Sequence, residues 1–259
     1  MKGFFLALGL LCGFSATASA PRVALWRMDC GTFVSKALTD SCYLIRHDGR
    51  YMLWDAGLGT ELLGHPQEHR KGDWIELKQT LVTQLARLGL SARQVSILGV
   101  SHTHFDHIGQ AAAFPTARLL IGQEDWEALG VKSPASILES QRLKPWLEEG
   151  APKELINGDK DVFGDGSVVM IATPGHTPGH HSLLVRLQHS GAILLTGDLY
   201  YSAKQYAQRS VPEHNTDAAQ TLAAFDRFGM LTKSQQATVI IQHEPADVPK
   251  LPPFPSAAE

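Results

Sequence analysis

Apolar and polar positions divide the chain into short strands and a few amphipathic stretches. A strand is predicted over Val23–Met28. Two more follow, Cys42–Arg46 and Tyr51–Asp55, and the turn His47-Asp48-Gly49-Arg50 between them makes a β-hairpin. The period then changes. Over residues 73–88, Trp74, Leu77, Leu81, Leu85 and Leu88 recur at three- to four-residue steps, which predicts an amphipathic helix ended by Gly89. The apolar run Val95–Val100 predicts a buried strand, Arg118–Ile121 another, and a short helix starts near Gln123. Residues 130–165 carry Pro134, Pro145 and Pro152 and read as an irregular excursion with helical pieces at 136–148. Strands resume at Ser167–Ile171, Ser182–Leu187 and Ala192–Leu195. A helix near Thr216–Phe228 and a strand at Thr238–Gln242 follow, and the tail LPPFPSAAE is expected to be extended or mobile.

The strands come in groups with helices between the groups. Strict βαβ alternation is missing, so a doubly wound sheet does not fit. The expectation is an α+β protein, two mixed β-sheets packed together with helices outside, forming one domain over residues 19–259.

Composition adds a compartment and removes some partners. The first residues have the form of a secretory signal peptide: Lys2, the apolar run GFFLALGLLCGF at 3–14, then the small residues SATASA. Cleavage is expected after Ala18, since the competing site after Ala20 would leave Pro21 first. A periplasmic or secreted location follows, with residues 1–18 removed and no stable membrane insertion afterwards. Export leaves Cys30 and Cys42, for which an oxidising compartment permits a disulfide. Net charge is −3, and no basic run offers a footprint for nucleic acid.

The chemistry concentrates in SHTHFDHIGQ at 101–110, directly after a predicted strand. His102, His104, Asp106 and His107 are all good zinc ligands, and a loop this short can face two of them to one ion and two to another. Three further segments each put a candidate ligand at or just past a strand end: TPGHTPGHHS at 173–182 with His176, LLTGDLYY at 194–201 with Asp198, and IIQHEP at 240–245 with His243. Distant residues placed this way can converge at one edge of a sandwich. Asp55, in DAGLG at 55–59, is expected to orient a ligand histidine. His180 and His181 are expected in supporting or structural positions, and His47, His65, His69, His189 and His214 on the surface.

HTHFDH, TPGHTPGH, GDLYY and QHEP, in this order, resemble the metallo-β-lactamase superfamily, with DAGLG similar to its early strand-end motif. The resemblance covers about residues 23–250. It implies an αββα sandwich with two zinc ions between the sheets, His102, His104 and His176 on the first, Asp106, His107 and His243 on the second, and Asp198 bridging. Other divalent metals, such as manganese, iron or cobalt, suit the same set.

Within that superfamily the bridging Asp198 departs from the zinc β-lactamases. Only 16 residues follow His243, too few for the helical region by which glyoxalase II enzymes bind glutathione. The chain is most similar to N-acyl homoserine lactone lactonases, on Phe105 before Asp106, Tyr201 three residues after Asp198, and IIQHEP with a short tail. That resemblance implies a hydrolase in which a metal-bridging hydroxide opens a lactone ring, with Tyr201 stabilising the oxyanion, Asp106 relaying the proton to the leaving alkoxide and Phe105 lining the substrate pocket. The partner is then a small-molecule lactone or ester, and a homodimer is allowed. The alternatives are an exported hydrolase of the same fold acting on aryl esters, organophosphates, thioesters or β-lactams, and a periplasmic metal-binding protein without catalysis.

Overall fold

Side chains from adjacent positions of one strand serve different layers of the protein. Tyr43 and Ile45 point into the core between two sheets, while Leu44 between them packs on the helices outside. Met52 and Trp54 face inward, Leu53 outward; in the second sheet Leu183 and Val185 face inward and Leu184 outward. This period of two, with both faces apolar, is what a sheet covered on each side requires. The computed structural model describes residues 21–130 and 134–259, so the predicted signal peptide lies outside the described residues.

The first sheet takes its eight strands from β1 (Val23–Phe33), β2 (Leu38–His47), β3 (Arg50–Trp54), β4 (Gln67–Arg70), β5 (Asp73–Glu76), β6 (Val95–Gly99), β7 (Arg118–Gly122) and β8 (Lys153–Ile156), in the order β4-β5-β1-β2-β3-β6-β7-β8. The second holds β9 (Lys160–Asp161), β10 (Val168–Ala172), β11 (His181–Leu187), β12 (Gly191–Leu195) and β13 (Thr238–Ile240), in the order β13-β12-β11-β10-β9. Both sheets mix parallel and antiparallel pairs. Helices α1 (Leu81–Arg87), α2 (Phe105–Ile108), α3 (Gln123–Ala128), α4 (Pro134–Arg142) and α5 (Lys144–Leu147) accompany the first sheet, and α6 (Ala203–Gln208) and α7 (Ala218–Gln235) the second. Phe225 and Phe228 of α7 pack on Ile171, Leu184 and Leu194. The αββα sandwich expected from the sequence is therefore the observed architecture. Among the described residues, no helix is long and apolar enough to cross a membrane.

Three local expectations need correction. The helix expected over 73–88 is a strand followed by a short helix. In β5, Asp73 and Ile75 are buried while Trp74 is 45% exposed, an alternation hidden by the helical spacing of Trp74 and Leu77. The helix begins only after Thr80, whose hydroxyl caps it by accepting from Thr83 N–H. The excursion at 130–165 also contributes β8 and β9, whose polar residues mark them as edge strands. Of the two forms open to the tail, the extended one is observed: Leu25 and Ala258 exchange two backbone hydrogen bonds of 2.9 Å, and Trp26 Nε1 donates to Pro255 O. His47 is buried, 2.6 Å from Asp165 and stacked on Phe163.

Cys30 and Cys42 form a disulfide, with Cα atoms 5.7 Å apart. Cys30 is the extra residue of a bulge between β1 and β2, which turns it toward its partner. The loop after β3 lies directly on this link. Gly57 has φ +59°, and a Cβ there would come 2.8 Å from Cys30 Sγ. The bridge spans a sequence separation of 12. For a closed loop of that size, removing it in a Cys30→Ser/Cys42→Ser variant should cost about 2–4 kcal/mol and lower Tm by roughly 4–16 °C. Scanning calorimetry would measure this, and an unchanged Tm would mean that the link adds nothing to the folded state.

Candidate metal centre

β3 and β6 run parallel, as do β12 and β13, so their C-terminal ends lie at common sheet edges. Asp55 follows β3, the histidine loop follows β6, Asp198 follows β12 and His243 follows β13. Two backbone hydrogen bonds stitch the sheets together beside these ends, His181 N–H to Ser101 O at 2.8 Å and Thr39 N–H to His243 O at 3.2 Å. The seven sequence-predicted ligands converge there as two groups of donor atoms that share Asp198.

In the first group, His176 Nε2 lies 3.1 Å from His102 Nε2 and 3.0 Å from His104 Nδ1. Asp198 Oδ2 is 3.4 Å from His176 Nε2 and 3.7 Å from His102 Nε2. In the second group, Asp198 Oδ1 is 3.0 Å from His243 Nε2 and 3.2 Å from His107 Nε2. Asp106 Oδ2 is 3.7 and 3.8 Å from the same two nitrogens. Donors 2.0–2.1 Å from a tetrahedral zinc stand about 3.3–3.4 Å apart, so both groups have the spacing of a ligand shell. His107 Nε2 is buried with no hydrogen-bond partner, an arrangement costly without an ion. One carboxylate oxygen in each group is the geometry of a bridge.

On His102, His107, His176 and His243 the other ring nitrogen meets a partner outside the groups, a contact that selects the tautomer of a neutral ligand. His107 Nδ1–H donates to Asp55 Oδ2 at 2.9 Å, His243 Nδ1–H to Thr39 O at 2.8 Å and His176 Nδ1–H to His214 O at 2.7 Å. Asp55 also accepts from Ser101, N–H at 2.7 Å and Oγ–H at 2.9 Å, and Ser101 Oγ lies 3.1 Å from His102 Nδ1. Asp55 thus contacts both His107 and Ser101, at the position from which it could orient a ligand histidine. It does so at φ +60°, left-handed backbone that is uncommon outside glycine and characteristic of over-determined functional positions. His180 is not among the grouped donors. Its Nδ1–H donates to Thr173 O and its Nε2 accepts from Asp198 N–H at 3.0 Å, so it anchors the backbone of Asp198.

The charge balance differs between the groups. Burial drives His102 well below its ordinary value and His176 down to about 4; both are neutral at pH 7, ready to ligate. Burial opposes charge at His107 and His243 too, but Asp198 outweighs it, carrying His107 well above its ordinary value and His243 up to about 9. Burial would raise Asp198; those two imidazoliums hold it well below the carboxylate range instead.

Tyr201 faces the centre, its hydroxyl 3.5 Å from His176 Nδ1 and 3.4 Å from His214 O. Burial first, then the charges of Asp198 and Asp106, raise its pKa, so the phenol stays protonated. The Phe105 ring sits between His69, stacked at 4.2 Å, and Phe33, edge-on at 6.3 Å, while Phe33 also meets His243 edge-on. An apolar wall therefore flanks the second group.

Several contributors were not singled out in the sequence. Ser101 opens the 101–110 run, in which only the histidines, Asp106 and Phe105 carried a signal. Asp125 holds the His176 loop by accepting from Gly179 N–H at 2.7 Å and Thr177 Oγ1 at 2.8 Å, and burial raises it to about 6. Asp40 is fully buried, 3.4 Å from Gln242 Nε2, which is itself 3.4 Å from His107 Nδ1. Burial pushes Asp40 well above the usual carboxylate range.

Comparison with known proteins agrees with this geometry. Residues 37–243 match the pattern of the metallo-beta-lactamase superfamily. The chain is 30% identical over 226 residues to an N-acyl homoserine lactonase AttM of Rhizobium radiobacter, covering 82% of this chain and 85% of that one. It is similar in fold to an N-acyl homoserine lactone hydrolase solved with N-hexanoyl-L-homoserine bound at its catalytic metal centre. There the TM-score is 0.75 at 22% identity, over 91% of this chain and 98% of the other. AidC, a dizinc quorum-quenching lactonase, is similar with a TM-score of 0.62 at 18% identity, over 85% and 74% of the two chains.

Proposed function

We propose that this chain, which belongs to the metallo-beta-lactamase superfamily, is an exported dizinc hydrolase that opens the ring of N-acyl homoserine lactones or similar lactones. The observation that carries the reading is Asp198, with one carboxylate oxygen in each of two donor groups. Similarity to curated lactonases over most of both chains supports the substrate class. The Cys30–Cys42 disulfide is in keeping with export by a signal peptide at 1–18, leaving a single catalytic domain from residue 19.

Two zinc ions in these groups would supply Lewis-acid polarisation of a carbonyl and a water ionised near neutral pH. The chain's own residues do the rest. Tyr201 O–H, kept protonated by burial and by Asp198 and Asp106, donates a hydrogen bond to the oxygen on which negative charge develops. Asp106, at the edge of the second group, would take up the proton lost by the attacking water and pass it to the departing ring oxygen. Phe105, with His69 and Phe33, forms an apolar surface for the part of the substrate away from the ring.

Removing one oxyanion donor costs about 10²–10³-fold in kcat, and here two metals would carry more of the load than a second hydrogen bond does. Tyr201→Phe should therefore lower kcat roughly 10–100-fold with a smaller change in KM. An unchanged kcat would remove Tyr201 from the reaction. The function itself is tested by a panel of acyl homoserine lactones, aryl esters, thioesters and organophosphates on metal-replete protein. Lactones should be the best substrates. No turnover of any lactone would overturn the reading, and turnover of another ester alone would move the substrate to that class.

A further inference from the structure

One buried guanidinium beside the centre has no part in the chemistry above. Arg142 ends α4, among the helical pieces expected at 136–148, and its side chain is only 9% exposed. It makes two directed contacts. Nη1 donates to the carbonyl of Phe105, and Nη2 donates to Glu61 Oε1 at 2.6 Å.

Each contact lies at a critical point of the backbone. Phe105 opens α2, the single turn that carries Asp106 and His107. In a longer helix its carbonyl would accept from the N–H four residues on, but Gly109 N–H donates to Gly57 O at 2.7 Å instead. Arg142 takes the carbonyl so released. Glu61 lies just beyond the Asp55–Gly59 loop, and its carboxylate fills the space beside Gly59. A Cβ on Gly59 would stand 2.2 Å from Glu61 Oε1. Gly59 has φ −68°, so the room for that carboxylate, not backbone freedom, is what the glycine provides.

We infer that the Arg142–Glu61 pair is a positioning device for the second metal group, clamping the α2 turn that carries Asp106 and His107 against the loop that carries Asp55. The inference rests on the two-metal reading above. It assigns the pair no role at the first group, whose His102 is held by Ser101 and whose His176 is held by His214.

Charge and position predict opposite outcomes, which makes the test sharp. A cation near a dication site weakens the metal, so if Arg142 acted by charge alone, its neutralisation would tighten the second ion. If it acts by position, neutralisation loosens that ion. The measurement is cobalt(II) titration of the metal-free full chain, followed by calorimetry and by the visible absorption of the bound ion. Arg142→Gln and Glu61→Gln should each weaken the second ion about 10–100-fold, the range for lost outer supports, and leave the first within about twofold. Arg142→Lys should fall between, since one ammonium cannot reproduce the two-pronged contact. Glu61 is half-exposed, so Glu61→Asp, which keeps the charge and shortens the reach, remains a folded test should the arginine variants misfold: position predicts a weaker second ion and charge alone predicts no change. Tighter second-ion binding in Arg142→Gln, equal weakening of both ions, or no change in either would overturn the inference. The titration needs no substrate. A chain with this pattern that opens no lactone keeps the inference and loses the lactonase reading.

Discussion

Asp198→Ala is expected to abolish lactone hydrolysis and to leave the protein with at most one tightly held metal. Asp198 is the one residue belonging to both donor groups, with Oδ2 3.4 Å from His176 and Oδ1 3.0 Å from His243. Its loss removes a ligand from each group and the negative charge between two dications. The fall in rate should exceed the roughly 10–100-fold that follows the loss of an outer hydrogen-bond partner of a ligand. Asp198→Asn separates the two contributions. It keeps the shape and one acceptor oxygen, so it should hold one ion better than the alanine variant and still fail to turn over substrate. Metal content by elemental analysis, together with initial rates, decides the matter. An alanine variant with two tight ions and the parental rate would remove Asp198 from the centre, and with it the argument for a bridged pair.

How much of this centre was readable in the chain depends on what kind of atom does each task. The ligands are side chains of scarce types at the ends of apolar runs, and all seven positions converge as the sequence implied. Asp55 was legible for the same reason. The other groups that fix histidine tautomers were not. Thr39 and His214 act through backbone carbonyls, for which no side-chain type carries a signal. Arg142 escaped notice because its tie is to the Phe105 carbonyl, and Asp40 because an isolated acidic residue between strands reads as a turn. In the fold, the inner strands were legible from their two-sided apolar character, while β4, β8 and β9 were lost in polar stretches. The 73–88 segment was misread because Trp74 and Leu77 keep a helical spacing that belongs to two separate elements.

The same asymmetry of charge that distinguishes the two donor groups predicts how metal affinity responds to pH. A metal binds neutral imidazole, so it must expel any proton held on its ligands. His102 and His176, held down by burial, carry no proton at pH 7, and the first group should accept an ion with little proton release. His107 and His243 are raised, His243 to about 9, so both are imidazolium at neutral pH and an ion entering the second group must displace their protons. The sign follows directly. As pH falls, both groups hold their protons more firmly and the second ion weakens; for His243 the competition ends as pH rises through about 9. Each competing proton contributes a factor of about ten per pH unit, so two give up to roughly a hundredfold per unit. An ion already in the first group draws on the Asp198 charge, which lowers the neighbouring imidazoles and brings the slope down toward one proton. Asp198, held well below its ordinary value, stays a carboxylate across this window and adds no slope of its own. Titrations at pH 6, 7 and 8, in buffers of different ionisation enthalpy, would count the protons released at each step. A steep second step beside a nearly flat first step is the expected result, and equal slopes at both steps would mean that Asp198 does not divide its charge as the geometry implies.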